Sequence, residues 1–231
     1  MFNKTMRQLI DQILRRLGQM RPGQRSFSQE GEDIALARIF DGQADGFYVD
    51  VGACHPKRFS NTFFFYRRGW RGINIDATPG SMEAFRKIRP RDANLEMAVG
   101  ETESSQCIHL YQDPAFNTFS TQLVETRKRR DPDCKPESSV TLVTRSLRSI
   151  LEQHVTAGQA IDFMSVDVEG MDLAVLRSNC WERFRPRCVI AEVVGKSVNE
   201  ILEDPISTFM EQHGYEIYSK LVHSVIFLDR R

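Results

Sequence analysis

The chain alternates short apolar runs with segments of helical periodicity, and several of the apolar runs end in a carboxylate. Runs of this length that are apolar throughout are typical of strands buried on both faces of a parallel sheet. Parallel strands joined by helices all end at one edge of the sheet, which is where α/β proteins bind ligands. We therefore expect four acidic side chains at that edge, namely Asp50, Asp76, Asp167 and Glu192.

The pattern predicts five β/α units, an insertion and two closing strands. Strands are expected at 47–51, 72–76, 94–99, 161–167 and 187–193. Helices are expected at 34–40, 60–68, 81–88, 146–154, 171–176 and 198–213. Residues 101–145 form the insertion, with strands at 107–111 and 140–144 on either side of the polar loop at 127–130. The last strands, 215–221 and 223–229, are almost contiguous and must form an antiparallel hairpin.

This order predicts an α/β fold with a Rossmann-like, mostly parallel sheet of seven strands and a C-terminal antiparallel hairpin. A reversed strand is usual in class I S-adenosylmethionine-dependent methyltransferases, whereas an NAD-binding Rossmann sheet is normally parallel throughout. We expect one catalytic domain at 26–231, preceded by an N-terminal segment at 1–25.

The N-terminal segment has an amphipathic pattern over residues 2–20. Apolar residues recur at helical spacing, and the other face carries Lys4, Arg7, Arg15 and Arg16. Such a helix could dock on its own domain, mediate self-association or lie on a membrane surface.

Composition excludes several classes of protein. The 231 residues contain 31 Lys plus Arg and 31 Asp plus Glu, so no net charge favours nucleic acid. Five cysteines without a C-x-x-C indicate neither a disulfide framework nor a zinc cluster. Charged residues interrupt the first apolar positions, and no run approaches the ~20 residues that span a bilayer. We expect a cytoplasmic protein, peripheral to a membrane at most.

The loops after the first two strands indicate the kind of cofactor. The loop Asp50-Val51-Gly52-Ala53-Cys54-His55-Pro56 has one glycine, whereas a dinucleotide phosphate needs the three of G-x-G-x-x-G. S-adenosylmethionine has no phosphate and needs only one close backbone approach, at Gly52. Asp76 at the end of the second strand is suited to the ribose hydroxyls. The alternative is that Asp76 caps the next helix.

The loop after the fourth strand carries two further acids, Asp167 and Glu169. Together they could accept a proton from a substrate hydroxyl or bind a divalent cation, with Glu192 as a third ligand. The alternative is a helix N-terminus enriched in acids. His55 is a second candidate base or an ordinary loop residue.

Six segments in order along residues 27–170 resemble the FkbM-type family of S-adenosylmethionine-dependent methyltransferases. They are Phe27-Ser28-Gln29-Glu30-Gly31-Glu32-Asp33, Phe47-Tyr48-Val49-Asp50-Val51-Gly52-Ala53, Phe59-Ser60-Asn61-Thr62, Gly69-Trp70-Arg71-Gly72-Ile73-Asn74-Ile75-Asp76, Asn117-Thr118-Phe119 and Ser165-Val166-Asp167-Val168-Glu169-Gly170. The resemblance implies O-methylation of a hydroxyl on a sugar, glycan or natural product.

Site residues follow from this reading. The residues expected to hold the cofactor are Ser28, Gln29, Asp33, Asp50, Gly52, Ala53, Asn61, Asp76, Ala98 and Val99. The catalytic candidates are Asp167, Glu169 and His55. If the enzyme uses Mg²⁺, its ligands are expected among Asp167, Glu169 and Glu192.

Other interpretations stay open at this stage. The chain could be a nicotinamide-dependent oxidoreductase or a non-catalytic scaffold that keeps the fold. The basic residues Arg127 to Arg130 are expected in a solvated loop, or alternatively in a lid over an anionic acceptor.

Overall fold

The computed structural model describes residues 25–231, so the predicted helix at 2–20 lies outside the described residues. The helices are α1 (Glu32–Ile39), α2 (Phe63–Tyr66), α3 (Met82–Ile88), α4 (Thr121–Arg130), α5 (Leu147–His154), α6 (Asp172–Arg177) and α7 (Pro205–Gln212). The strands are β1 (Phe47–Val51), β2 (Arg71–Asp76), β3 (Ala93–Glu96), β4 (Ala98–Val99), β5 (Ser105–Leu110), β6 (Ser138–Arg145), β7 (Phe163–Val166), β8 (Cys188–Glu192), β9 (Tyr215–Lys220) and β10 (Ser224–Asp229).

Seven strands form the main sheet in the order β3-β2-β1-β7-β8-β10-β9. Neighbours from β3 to β8 are parallel, and β10 runs antiparallel to both β8 and β9. This confirms the predicted class I fold with its closing hairpin. Strands β2 and β3 lie on one side of β1, and β7 and β8 lie on its other side. Because β1 and β7 run parallel, their carboxyl ends lie side by side.

Apolar side chains cover both faces of the sheet. One face packs residues such as Val49, Ile73 and Met164 against α5 and α6. The other face carries an aromatic cluster in which the Phe65 and Trp70 rings lie 4.8 Å apart. The Phe63 to Tyr66 segment of α2 is buried and belongs to this cluster.

Several predicted elements are shorter than expected, and hydrogen bonds explain two of the differences. The strand at 94–99 breaks at Met97, whose N–H bonds to the Asp76 carbonyl at 2.9 Å; β4 then leaves the main sheet and pairs with β6. The helix at 60–68 is reduced to α2, because the Ser60 hydroxyl accepts the Phe63 N–H and delays its start.

Two further predictions are wrong in type. The basic segment at 127–130 is not a loop but the last turn of α4, which begins after Ser120, whose hydroxyl accepts the Leu123 N–H at 3.2 Å. The helix at 198–213 is two elements, a 3₁₀ turn at Glu200–Glu203 and α7. Pro205 cannot continue a hydrogen-bonded helix, and Asp204 caps the new one.

A network of polar side chains lies buried beneath the β1–β2–β3 side of the sheet. The Asp92 carboxylate accepts from Arg89 at 2.8 Å, from the Tyr48 hydroxyl at 2.8 Å and from Asn74 at 3.0 Å. Its other oxygen accepts the Gly72 N–H at 3.0 Å. Arg89 is fully buried and also donates to Tyr48. Opposite charges and hydrogen bonds therefore neutralise this network internally, and we call it the buried network.

Candidate active site

Two clefts open at the carboxyl edge of the sheet. The inner cleft lies between the ends of β1 and β2, strand β4 and the insertion. The outer cleft, with about 780 Å³ of free space, lies between the insertion, the end of β8 and the start of α7. The two clefts are adjacent and share four lining residues, Gln29, Phe59, Ala115 and Glu169.

The inner cleft suits a ligand without phosphates. Its lining holds three acids, Asp76, Asp167 and Glu169, while no lysine or arginine lines it among the described residues. Apolar side chains complete the walls, among them Ile75, Met97, Val99 and Phe119. A pyrophosphate would meet only negative charge here, whereas a cationic group would be attracted.

The packing of the backbone requires a glycine at position 52. Its φ is 82°, and a Cβ at this position would lie 1.7 Å from the Asp167 carbonyl oxygen. The loop after β1 therefore touches the loop after β7 directly. Gly52 and Ala53 donate their N–H groups to the Ile75 carbonyl at 2.9 and 3.1 Å, which fixes the loop to β2 as well.

Asp76 lines the inner cleft and holds two loops. One carboxylate oxygen accepts the Cys54 N–H at 2.8 Å, and the other accepts the Thr78 N–H at 2.8 Å. Helix α3 begins only at Met82, so Asp76 does not cap it. Each oxygen keeps a lone pair that can accept from a ligand hydroxyl.

The remaining predicted cofactor residues divide into two groups. Gln29 and Val99 line the inner cleft together with Gly52 and Asp76. Six others are not part of its lining and serve the protein interior or neighbouring loops: Ser28, Asp33, Asp50, Ala53, Asn61 and Ala98.

Hydrogen bonds explain where four of these six residues are used. Asp50 is buried and accepts from the Thr62 hydroxyl at 2.7 Å, and burial raises the pKa of its carboxyl. Asn61 donates to Ser165 at 3.0 Å. Asp33 accepts from the Phe27 N–H at 2.7 Å and from Ser28 at 2.9 Å, which closes the turn before α1.

His55 also has a local partner. Its Nδ1 accepts the N–H groups of Lys57 at 3.0 Å and Arg58 at 2.9 Å, and it does not line either cleft. Partial burial, followed by the nearby charges of Arg58 and Lys57, lowers the pKa of the imidazole. The geometry makes His55 a turn residue rather than a neighbour of Asp167.

Three predicted acids do come together. Oxygens of Asp167, Glu169 and Glu192 lie within 4.8 Å of one another, and we call these residues the acid cluster. The Asp167 side chain is exposed to solvent in the inner cleft. Desolvation by the protein atoms behind it raises the pKa of its carboxyl, and the charges of Asp172 and Glu169 raise that pKa further.

Glu192 and Glu169 have different surroundings within the cluster. Desolvation, and then the charge of Asp167, raise the pKa of Glu192. Desolvation also raises the pKa of Glu169, but its ion pair with Arg127 opposes the increase. Glu169 has φ 52° and its carbonyl accepts the Thr118 hydroxyl at 2.7 Å, so the insertion holds both its backbone and its side chain.

Several residues of the site were not predicted. Asp172 anchors the loop between β7 and α6, which we call the acid loop, by accepting the N–H groups of Val168 and Gly170, both at 3.1 Å. Asn117 lines the inner cleft and donates to Thr78 at 2.9 Å. Arg127 was expected in a loop, and its role depends on a helix that hydrophobic periodicity does not reveal. The N-T-F segment was recognised, but nothing in its sequence assigned Asn117 a partner.

Solved structures of methyltransferases resemble the fold only distantly. An O-methyltransferase from Bacillus cereus in complex with SAH matches with TM-score 0.43 and 11% identity, covering 98% of this chain and 90% of that chain. A TehB-like SAM-dependent methyltransferase from Corynebacterium glutamicum gives TM-score 0.41 and 9% identity, covering 97% of this chain and 96% of that chain. A precorrin-6y C5,15-methyltransferase from Geobacter metallireducens gives TM-score 0.41 and 10% identity, covering 86% of this chain and 87% of that chain.

Sequence comparison identifies the family directly. No curated protein gave a significant match to the chain. The model of the methyltransferase FkbM domain, however, matches residues 50–217, which is well over half of the chain and includes the end of β1, all of β2, the insertion, the acid cluster and α7. The chain belongs to the FkbM methyltransferase family.

Proposed function

We propose that this methyltransferase uses S-adenosylmethionine to O-methylate a hydroxyl of a sugar, glycan or natural-product acceptor. The observation that carries the proposal is that the two clefts are adjacent and share Glu169, beside Asp167. A donor in one cleft and an acceptor in the other would meet at the acid cluster. Methyl transfer depends largely on such alignment, because the acceptor oxygen must approach in line with the bond that breaks.

The inner cleft fits the cofactor by the chemistry of its lining. Asp76 would accept hydrogen bonds from the ribose hydroxyls, while Met97 and Val99 offer apolar surface to the adenine. The excess of acids and lack of basic residues in the described lining suit a cationic sulfonium. When bound, S-adenosylmethionine supplies an activated methyl group. The chain's own residues must then orient the acceptor and remove its proton.

Asp167 is the residue that we assign as general base. Its carboxylate has no hydrogen-bond donor among the described residues, so an acceptor hydroxyl can reach it. A base acts best when its pKa lies near the working pH. Desolvation and the neighbouring acids raise the pKa of Asp167 in that direction. Glu169, held by Arg127, and Glu192 would orient the hydroxyl from the outer cleft.

A divalent cation is the second way in which the acid cluster could act. Three carboxylates whose oxygens lie within 4.8 Å match the oxygen ligands that Mg²⁺ prefers. Asp167, Glu169 and Glu192 would hold the ion, and it would lower the pKa of the acceptor hydroxyl. Chelation separates the two versions: activity abolished by EDTA and restored by Mg²⁺ supports the metal, and unchanged activity supports direct base catalysis.

Calorimetric titration tests the cofactor assignment. We expect S-adenosylhomocysteine to bind the purified protein and NAD to show no heat of binding. Binding of NAD alone would favour the nicotinamide-dependent alternative for the inner cleft. Failure of S-adenosylhomocysteine to bind would support a non-catalytic scaffold and overturn the proposal.

A further inference from the structure

The charged residues of the outer cleft are mostly neutralised by neighbours. Arg58 pairs with Asp113 through both guanidinium nitrogens, at 2.5 and 3.1 Å. Arg127 pairs with Glu169, and it also donates to the Phe116 carbonyl at 2.6 Å. These pairs hold the insertion against the loops after β1 and β7.

The other charges of the cleft have partners as well. Asp204 pairs with Lys196 at 2.9 Å and caps α7. His223 contacts the Glu30 carboxylate, and Asp172 is occupied by the backbone of the acid loop. None of these groups is available to a ligand without breaking an existing contact.

Two charged side chains of the outer cleft remain without a partner in the described part of the chain. One is Glu192 at the end of β8, within the acid cluster. The other is Arg130 at the end of α4, which is exposed and makes no hydrogen bond or ion pair with any described residue. The unused charges of the cleft thus have opposite signs and come from different elements.

Helix geometry selects Arg130 from its basic neighbours. Four consecutive basic residues end α4, but only Arg127 and Arg130 line the outer cleft. Residues three apart lie on one face of a helix. Lys128 and Arg129 project elsewhere, so their charges serve the surface and the helix terminus rather than the cleft.

We propose that the outer cleft selects acceptors that carry an oxyanion, either a phosphate or a carboxylate, and that Arg130 binds this oxyanion. This inference rests on the proposed function, since it assumes that the acceptor occupies the outer cleft. The hydroxyl to be methylated lies at the acid cluster, and the oxyanion lies at α4. An arginine fork matches both kinds of oxyanion in bidentate fashion. Exposed Phe59, Phe116 and Val194 provide apolar contact between these two ends.

Binding of small probes tests the inference without an identified acceptor. Glucose 1-phosphate, glucuronate and neutral glucose would each be titrated into the full chain at low salt, where charge pairs are least screened. We expect at least one of the charged probes to bind about tenfold or more tightly than glucose. The stronger of the two identifies phosphate or carboxylate as the natural group. Equal binding of all three probes would overturn the proposal.

Two variants on the same helix localise the effect. Arg130→Gln should weaken the charged probe about 10- to 100-fold and leave glucose unchanged. Arg129→Gln removes the same charge one residue away, outside the cleft lining, and should bind as wild type does. Equal losses in both variants would indicate general attraction by the basic helix and would contradict a site at Arg130.

S-adenosylhomocysteine titrated into the same samples separates this inference from the proposed function. If the cofactor product binds and the charged probes do not, the oxyanion site is wrong and the methyltransferase assignment stands. If Arg130-dependent binding of a charged probe is found without cofactor binding, the oxyanion site stands and the proposed function fails.

Discussion

The buried network and the acid cluster use the same side-chain chemistry in opposite ways. In the buried network, the Asp92 carboxylate accepts four hydrogen bonds and faces a fully buried Arg89. In the acid cluster, Asp167 and Glu192 receive no donor from the described residues, and like charges lie within 4.8 Å. A satisfied charge stabilises a fold, whereas a charge left unsatisfied at a cleft is available to a ligand.

The strongest test of this contrast is Asp167→Asn. The substitution keeps the shape and removes the base, so we expect kcat to fall about 10²- to 10⁴-fold. S-adenosylhomocysteine should bind nearly as before, because the proposed ribose contacts are at Asp76. Initial rates with any acceptor that is turned over, together with calorimetry, measure both. Normal turnover by the variant would make Asp167 a structural residue.

The matched substitution in the buried network is Asp92→Asn. It leaves the Arg89 charge buried without a counter-ion, so we expect the free energy of unfolding to drop by about 3–5 kcal/mol. Urea denaturation followed by circular dichroism measures the change. A loss no larger than that of Asp167→Asn would remove the distinction between the two clusters.

Asp76 both accepts hydrogen bonds within the protein and lines the inner cleft. Its substitution should therefore change ligand binding and stability together, each to an intermediate degree. Asp76→Ala removes hydrogen bonds to a ribose, each worth about 1.5–3 kcal/mol, so S-adenosylhomocysteine binding should weaken at least tenfold. The variant should also lose stability, because the Cys54 and Thr78 N–H groups lose their acceptor. Asp76→Asn retains one carbonyl acceptor and serves as the control; its stability should lie closer to wild type. Unchanged affinity in both variants would exclude Asp76 from the cofactor site.

The smallest expected effect is a gain in the free energy of unfolding instead of a loss. Glu192→Gln should raise the free energy of unfolding by about 0.5–2 kcal/mol near pH 8, since the wild-type carboxyl must there either take up a proton on folding or hold a desolvated charge beside Asp167. The folded-state pKa of Glu192 is raised above its usual 4.5, so the wild-type protein loses stability as pH rises past that value. The gain should therefore vanish near pH 4. A pH-independent gain would point to packing instead of charge.

Sequence reasoning predicted the parallel core because its strands are apolar throughout and end in acids. Asp76, Asp167 and Glu192 lie at the expected edge for that reason. It failed on α4, which has no buried residue and hence no apolar stripe, although the Ser120 cap and the basic last turn were visible signals. It also could not separate Asp33, which binds its own turn, from a ligand contact, because both uses require the same polar residue type.

The location of α4 explains why the acceptor side was harder to predict than the acid cluster. Arg127 and Arg130 come from an insertion that pairs with itself through β5 and β6 and contacts the main sheet through few elements. Its register relative to the clefts depends on side-chain contacts such as Thr118 with the Glu169 carbonyl. Such contacts between distant segments have no local sequence signature.

Among residues 25–231, no helix combines the length and apolar character that crossing a bilayer requires. Attachment through residues 2–20 to a membrane or to a second copy stays a prediction. Deleting residues 1–20, then comparing liposome sedimentation and oligomer mass with the full chain, would test it.

The contact between Gly52 and Asp167 has a consequence for how such an enzyme can diversify. With 1.7 Å between a built Cβ and the carbonyl oxygen, a saturation library at position 52 should return glycine alone. The loop after β1 and the acid loop are thus inherited as one block. Changes that redirect such an enzyme to new acceptors are therefore expected elsewhere, among side chains of the outer cleft such as Arg130 and Val194.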